Sequence, residues 1–304
     1  MFDFKEILPA YIAHGKPSDD TLRHYETEIS NFLNWVEDNG YDPLKIDEND
    51  ARQYLAFLTE RGYSDASVAI KIAAARTYYF ITTKLKLTAE NPFQDVKAKA
   101  PVYDDADFEY LSVDEIAELC AVLKSSPSVT SVRNLAIVML MAVEGLRTVE
   151  VSRMNDEDIN RRNASILIHG KGRDAFIYPC QDTIDVLEHY IQIRPTSIKD
   201  DEGTPTFVSL ASNFLGTRIT RTGIRWAINS VLTAAEKKKR GASCHMLRHS
   251  CGTNLYAKTK DLRLVQEVLR QKDPAVTARY THVNRRDYRK TSEISPFGGD
   301  THED

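Results

Sequence analysis

The sequence predicts a mainly α-helical chain with a small β-sheet, organised as an N-terminal helical domain followed by a mixed α/β domain. Apolar residues recur at helical spacing through the first 92 positions. A capping box, Ser112-Val113-Asp114-Glu115, reopens periodic sequence after a stretch that has none. The pattern changes to that of strands only around 165–178, on both sides of a glycine-bearing turn.

The elements follow in order. Leu22, Tyr25, Ile29, Phe32, Leu33 and Val36 form one apolar stripe of a helix that Asn39-Gly40 ends. Asp47 caps a second helix with Ala51, Tyr54, Leu55 and Leu58 inward, and Gly62 closes it. Ser64 opens a third through Val68, Ile72, Ala75 and Tyr79, and Asn91-Pro92 ends a bundle of four or five helices over 1–92. A linker is expected at 93–108, where Lys97-Ala98-Lys99-Ala100-Pro101 precedes Asp104-Asp105. The second domain is expected over 109–290. Its apolar run 135–143 is about half of the ~20 residues that span a bilayer and reads as a buried helix. Residues 165–168, then His169-Gly170-Lys171-Gly172, then 175–178 read as strand, turn and strand. Helices are expected at 182–193, 223–236, 245–257, 261–270 and from 275 onward, with 291–304 an acidic tail.

Of the 304 residues 42% are hydrophobic and 28% charged, enough for packed cores in a soluble protein. No basic stretch followed by an apolar one stands near Met1, so no secretory signal is expected. Cys120, Cys180, Cys244 and Cys251 show no paired spacing, which suits reduced thiols and a cytoplasmic location. The net charge of −4 hides an asymmetry. Residues 211–290 carry 18 Lys and Arg against 5 Asp and Glu, an excess of 13 positive charges inside an acidic chain. That is the electrostatic footprint of a surface that binds a polyphosphate, although a solvated basic face would look the same.

Metal and nucleotide chemistry lack their motifs. His245 and His249 are spaced as zinc ligands on a helix, but Met246 stands where a metalloprotease helix needs Glu. Gly15-Lys16 lacks the earlier glycine of a phosphate loop, the position being Ala10. Neither a metal nor any other cofactor is expected.

The residues that carry chemistry come as separate motifs in a fixed order. Glu144-Gly145-Leu146-Arg147-Thr148-Val149-Glu150 comes first, then Ile168-His169-Gly170-Lys171-Gly172 followed by Pro179. His245-Met246-Leu247-Arg248-His249-Ser250 follows, then Val268-Leu269 and Ala278-Arg279-Tyr280-Thr281-His282-Val283. In this order and spacing they resemble the tyrosine recombinases, the phage integrase family. The resemblance spans about 109–290, and the helical region before it is similar to the family's core-binding, SAM-like domain.

The resemblance implies a site-specific DNA recombinase in which Tyr280 attacks a phosphodiester and forms a 3′-phosphotyrosyl intermediate. The chemistry of the residues agrees. Two guanidiniums, Arg147 and Arg248, suit the non-bridging oxygens of a phosphate that gains charge during displacement. A phenol with pKa about 10 needs nearby cations or a proton acceptor before it attacks. His245 is expected to accept that proton or to bond the phosphate, and Lys171 to protonate the departing 5′-oxygen. Glu150 is expected to orient an arginine or His245.

Two departures stand out. The family commonly places His or Trp after Leu-Gly, where this chain has Leu269-Arg270-Gln271. An amide donates a hydrogen bond but exchanges no proton, so Gln271 is expected to bind phosphate only. Asp174 and Phe176 also replace frequent basic residues on the hairpin. DNA-facing cations are expected at Lys71, Arg76, Lys84 and Lys86, and at Arg218, Arg221 and Arg225. The resemblance further implies double-stranded DNA as partner, four protomers on two duplexes, and a segment at 284–296 docking in trans. No membrane association is expected. A type IB topoisomerase-like enzyme and a non-catalytic DNA-binding protein are the rival readings. The helical first domain argues against the former, and the retained polar residues against the latter.

Overall fold

The computed structural model describes residues 3–12, 15–100, 109–170, 174–238, 243–271 and 280. The chain divides into two compact units, Met1–Asp104 and Asp105–Asp304. Among the described residues, no helix is long and apolar enough to cross a membrane.

The first unit holds α1 (Phe4–Tyr11), α2 (Asp19–Asp38), α3 (Glu48–Glu60) and α4 (Asp65–Lys84). Each begins on a side-chain cap: Asp3, Ser18, Asp47 and Ser64 accept from backbone N–H groups of the first turn. The apolar stripes meet in an aromatic core. The Phe32 ring centroid lies 4.9 Å from that of Tyr54 and 5.3 Å from that of Phe93. Burying each such ring contributes roughly 1.5–3 kcal/mol.

Phe93 and Val96 belong to this core, both fully buried, although the sequence places them in the linker. Their lack of periodicity is real. What holds them is tertiary, because Arg76 on α4 donates to the carbonyls of Phe93 at 2.9 Å and Val96 at 2.6 Å. The packed chain of this unit therefore runs past residue 92. Residues 101–108 of the expected linker lie outside the described residues.

The second unit is built around α6 (Val129–Ala142), whose residues are buried without a break from Val132 to Ala142. A helix hydrophobic all round belongs at the centre of a core. Helices α5 (Val113–Lys124), α8 (Gln181–Ile193) and α10 (Cys244–Thr259) pack around it. The capping box at Ser112 forms as expected, with Ser112 accepting from Glu115 N–H and Glu115 from Ser112 N–H.

Between α7 (Thr148–Arg153) and α8 lies an antiparallel sheet in the order β1 (Ile159–Asn160), β2 (Ser165–Ile168), β3 (Ala175–Ile177). The register pairs Ile166 with Ile177 and Leu167 with Phe176. Strand β1 has two residues, too few to show any period in sequence. Helix α9 (Arg221–Ala234) follows, and α11 (Leu262–Val268) closes the described fold after α10.

Candidate active site

The site forms where α6 ends. The chain leaves that helix through Gly145, whose φ of 70° favours a residue without a side chain. A Cβ there would also stand 2.6 Å from the Leu269 side chain. Glu144, just before the turn, accepts from the Cys180 N–H at 3.1 Å and the Thr183 hydroxyl at 2.8 Å, which ties the turn to α8. The turn delivers Arg147 to the N-cap of α7, with Glu150 in the first turn of that helix.

Glu150 is the hub. Its carboxylate accepts from the Arg147 backbone N–H at 2.8 Å and from Arg147 Nη1 at 2.7 Å. Arg270 Nη2 donates to Glu150 Oε2 at 3.0 Å, and Arg248 Nη1 lies 3.8 Å from the same oxygen. Arg248, on α10, donates to the backbone carbonyls of Gly145 and Leu269. Arg147 Nη2 donates to the Arg270 carbonyl at 3.2 Å. One carboxylate thus gathers three guanidiniums from three elements.

The electrostatics follow from that crowding. Burial and the neighbouring Arg147 push the Arg248 guanidinium down to about 10, and it stays charged at neutral pH. Burial alone would raise the Glu150 carboxyl. The charge of Arg270 and the bonds from Arg147 outweigh burial and hold it below the usual carboxylate range. For His245, packing around the ring and then the charges of Arg225, Arg248 and Arg147 lower the imidazole pKa. A lowered pKa makes this ring a weaker proton acceptor than a free imidazole.

Tyr280 is buried, 1% exposed, in a small cluster with Cys251, Val265 and Leu269. Gly252 on α10 makes room for its ring: a Cβ there would stand 2.6 Å from Tyr280 Cζ. The Tyr280 hydroxyl lies 3.3 Å from His249 Nδ1 and 3.4 Å from the Gln271 amide nitrogen. Arg248 lies close enough for its charge and that of an ionised Tyr280 to favour one another.

Of the expected site residues, Arg147, Glu150 and Arg248 are therefore linked by hydrogen bonds and ion pairs, while Gln271 and Tyr280 bond to one another. Gln271 meets the phenol. His245 stands one turn before His249, with ring centroids 6.5 Å apart. Lys171 lies outside the described residues. His169, next to the end of β2, stands between Asp158, 2.8 Å from Nε2, and Asp174, 3.4 Å from Nδ1.

His249 and Arg270 reach the site without having been expected there. The signal for the first is its place in the motif His245-Met246-Leu247-Arg248-His249-Ser250. Nothing in sequence marks Arg270 except a charge beside Gln271.

Comparison with known proteins decides the family. The phage integrase family model matches residues 109–286, and the model of the phage integrase N-terminal SAM-like domain matches residues 9–84. The chain belongs to the phage integrase family. It is 31% identical to tyrosine recombinase XerD of Oceanobacillus iheyensis over 88% of this chain and 89% of that protein. It is 29% identical to tyrosine recombinase XerC of Lactobacillus leichmannii over 88% and 89%. The fold resembles that of the XerH site-specific recombinase bound to a palindromic difH substrate. There the TM-score is 0.67 at 19% identity, covering 90% of this chain and 79% of that one. It also resembles a lambda integrase dimer bound to a COC′ core site, with a TM-score of 0.67 at 17% identity, covering 90% and 94%.

Three of the cations expected to face DNA have partners within their own unit. Lys71 is buried, its Nζ 2.5 Å from Glu28 within the helical bundle. Arg76 is committed to the carbonyls of Phe93 and Val96. Arg218 forks onto Asp200 at 2.6 and 2.7 Å and bonds Asn155 at 2.8 Å. Each serves internal structure because a long cationic side chain found a partner within its own unit. Lys84, Lys86, Arg221 and Arg225 have exposed positions.

Proposed function

We propose that this phage integrase family member cuts and rejoins DNA at specific sites, with Tyr280 as the covalent nucleophile. The observation that carries the reading is a buried phenol. Its oxygen lies beside the His249 imidazole, and its ring packs on the helix that bears Arg248. Arg147 and Arg248 bind the non-bridging oxygens of the scissile phosphate, held in place by Glu150. His249 takes the phenolic proton as the Tyr280 oxygen attacks phosphorus, and His245 bonds a phosphate oxygen. The P–O5′ bond breaks, and Lys171 supplies the proton to the departing 5′-oxygen. A 3′-phosphotyrosyl link and a free 5′-hydroxyl result. Because one phosphodiester replaces another, the bond energy is conserved. Attack by a 5′-hydroxyl from a second duplex reverses the step and exchanges strands.

Gln271 keeps a donor on the phenol and, once DNA binds, on phosphate. Lys84, Lys86, Arg221 and Arg225 supply phosphate contacts that fix register without reading bases. The family resemblance supports four protomers on two duplexes, the segment 284–296 docking on a neighbour, and a cytoplasmic location. That segment lies outside the described residues. The same resemblance supports a division into a core-binding domain over 1–92, a catalytic domain over 109–290 and a tail over 291–304.

The test uses duplexes selected from a random pool by binding, placed once or twice in a supercoiled plasmid. Recombinant product from the paired plasmid alone is expected. Relaxation that ignores the sites would replace recombination with a topoisomerase reading.

A further inference from the structure

Three guanidiniums crowd one carboxylate. Among the described residues, Glu150 is the only acid that hydrogen-bonds or ion-pairs with Arg147, Arg248 or Arg270. The Arg248 and Arg270 side chains are only 5% and 14% exposed, while that of Arg147 is 38% exposed and forms the open side. Three positive charges against one negative leave an excess of two. Buried charge without a counter-ion is costly, so such an excess persists where an anion is to be bound.

Arg270 donates to the carbonyls of Val268 at 2.9 Å and Gly145 at 3.4 Å, but two of its features are not explained by those bonds. Its backbone is left-handed, φ 51°, a conformation that a residue with a Cβ adopts at a cost. Its Nε is buried with no hydrogen-bond partner. The turn sends two neighbours to two places: Arg270 reaches Glu150, and Gln271 reaches Tyr280. Arg270 also holds Glu150 Oε2 more closely than Arg248 does, 3.0 against 3.8 Å. Arg248 is thereby kept out of a tight ion pair.

We propose that Arg270 is a positioning residue for phosphate displacement. It acts through Glu150 to add a third positive charge to the Arg147–Arg248 cluster, in place of a charge that the neutral amide of Gln271 does not supply. The proposal rests on the reading of Tyr280 as nucleophile. Around the non-bridging oxygens, leaving Lys171 at the departing oxygen aside, two arginines and Glu150 leave one net positive charge, which matches a phosphodiester at rest. With Arg270 the excess is two, which matches the two negative charges of the five-coordinate phosphorus during displacement. The added charge thus favours the transition state over the bound substrate.

The experiment measures covalent adduct formation by the full chain on a nicked duplex carrying its selected site, over a range of pH, alongside thermal melting. Arg270→Gly and Arg270→Asn both tolerate positive φ. Both are expected to slow adduct formation about tenfold or more, while Arg270→Lys keeps most of the rate. Adding Gln271→His to Arg270→Gly is expected to restore most of the rate, with the rescue fading as pH rises and the imidazole loses its charge. Melting temperatures should stay within ~5 °C of wild type.

An unchanged rate in either neutral variant overturns the proposal, and so does a failure of Gln271→His to rescue. Variants that melt below the assay temperature overturn it too, by making Arg270 a folding residue. Wild-type protein that forms no adduct would remove the nucleophile reading and this proposal with it. An adduct in wild type with unchanged variants removes the proposal alone.

Discussion

His249 Nδ1 lies 3.3 Å from the phenolic oxygen of Tyr280. His245, one turn earlier, faces the positive charges of Arg225, Arg248 and Arg147. Proton acceptance from the phenol is therefore assigned to His249. His249→Asn keeps a hydrogen-bond acceptor near Nδ1 but cannot take up a proton. It is expected to slow adduct formation by roughly 10²-fold with little change in DNA affinity, read by single-turnover cleavage and a binding titration. An unchanged rate would reduce His249 to a hydrogen-bonding neighbour of the phenol.

Gly252 is the seat of the Tyr280 ring. A Cβ at 252 would stand 2.6 Å from Tyr280 Cζ and 2.8 Å from the Leu269 side chain. Gly252→Ala is expected to destabilise the second unit by roughly 1–3 kcal/mol, as overpacked cores do, and to cut adduct formation by displacing the phenol. Urea melts and the cleavage assay read the two effects separately. A variant of full stability and full rate would show that the ring does not sit there when it reacts.

Glu150 ties three arginines, and its carboxyl is held below the ordinary range. Glu150→Gln removes the one negative charge of the cluster and is expected to cost roughly 3–5 kcal/mol at neutral pH. A depressed pKa gives stability that is complete above the unfolded glutamate value. That stability is lost as pH falls through the lower folded value. The gap between wild type and variant should therefore narrow in acid, as denaturant melts over a pH series would show. A gap that widens in acid would contradict this assignment.

His169 braces the foot of the hairpin that bears Lys171. The bond to Asp158 raises its pKa, with the charges of Asp158 and Asp174 adding to it against burial. A raised imidazole pKa gives stability that is full below the unfolded value and lost as pH rises through the folded one. His169→Gln is therefore expected to lower the melting temperature most at mildly acid pH and least at alkaline pH. A constant difference across that range would mean that the charged brace does not form.

Much of the fold is legible because its signals are local. Asp47, Ser64 and Ser112 cap helices within three residues of themselves, so each start can be read from a few positions. The packing of Phe93 and Val96 is not legible, because the arginine that grips them sits 17 and 20 residues earlier on α4. Charge is visible in sequence but its partner is not, which is why Lys71, Arg76 and Arg218 read as DNA contacts although each has an internal partner. The site divides the same way. Arg147, Arg248, His249 and Tyr280 stand in motifs, but the motifs do not say that His249 meets Tyr280 across 31 positions or that Arg270 meets Glu150 across 120. Such pairings exist only once the chain has folded.

The most direct measurement is the identity of the residue joined to DNA. The full chain is incubated with a nicked duplex carrying its selected site, digested with protease, and the DNA-linked peptide sequenced by mass spectrometry. The expected product is a peptide joined through Tyr280 to the 3′-phosphate of the cut strand, absent from Tyr280→Phe. An adduct through another residue, or one that survives Tyr280→Phe, would contradict the covalent role of Tyr280.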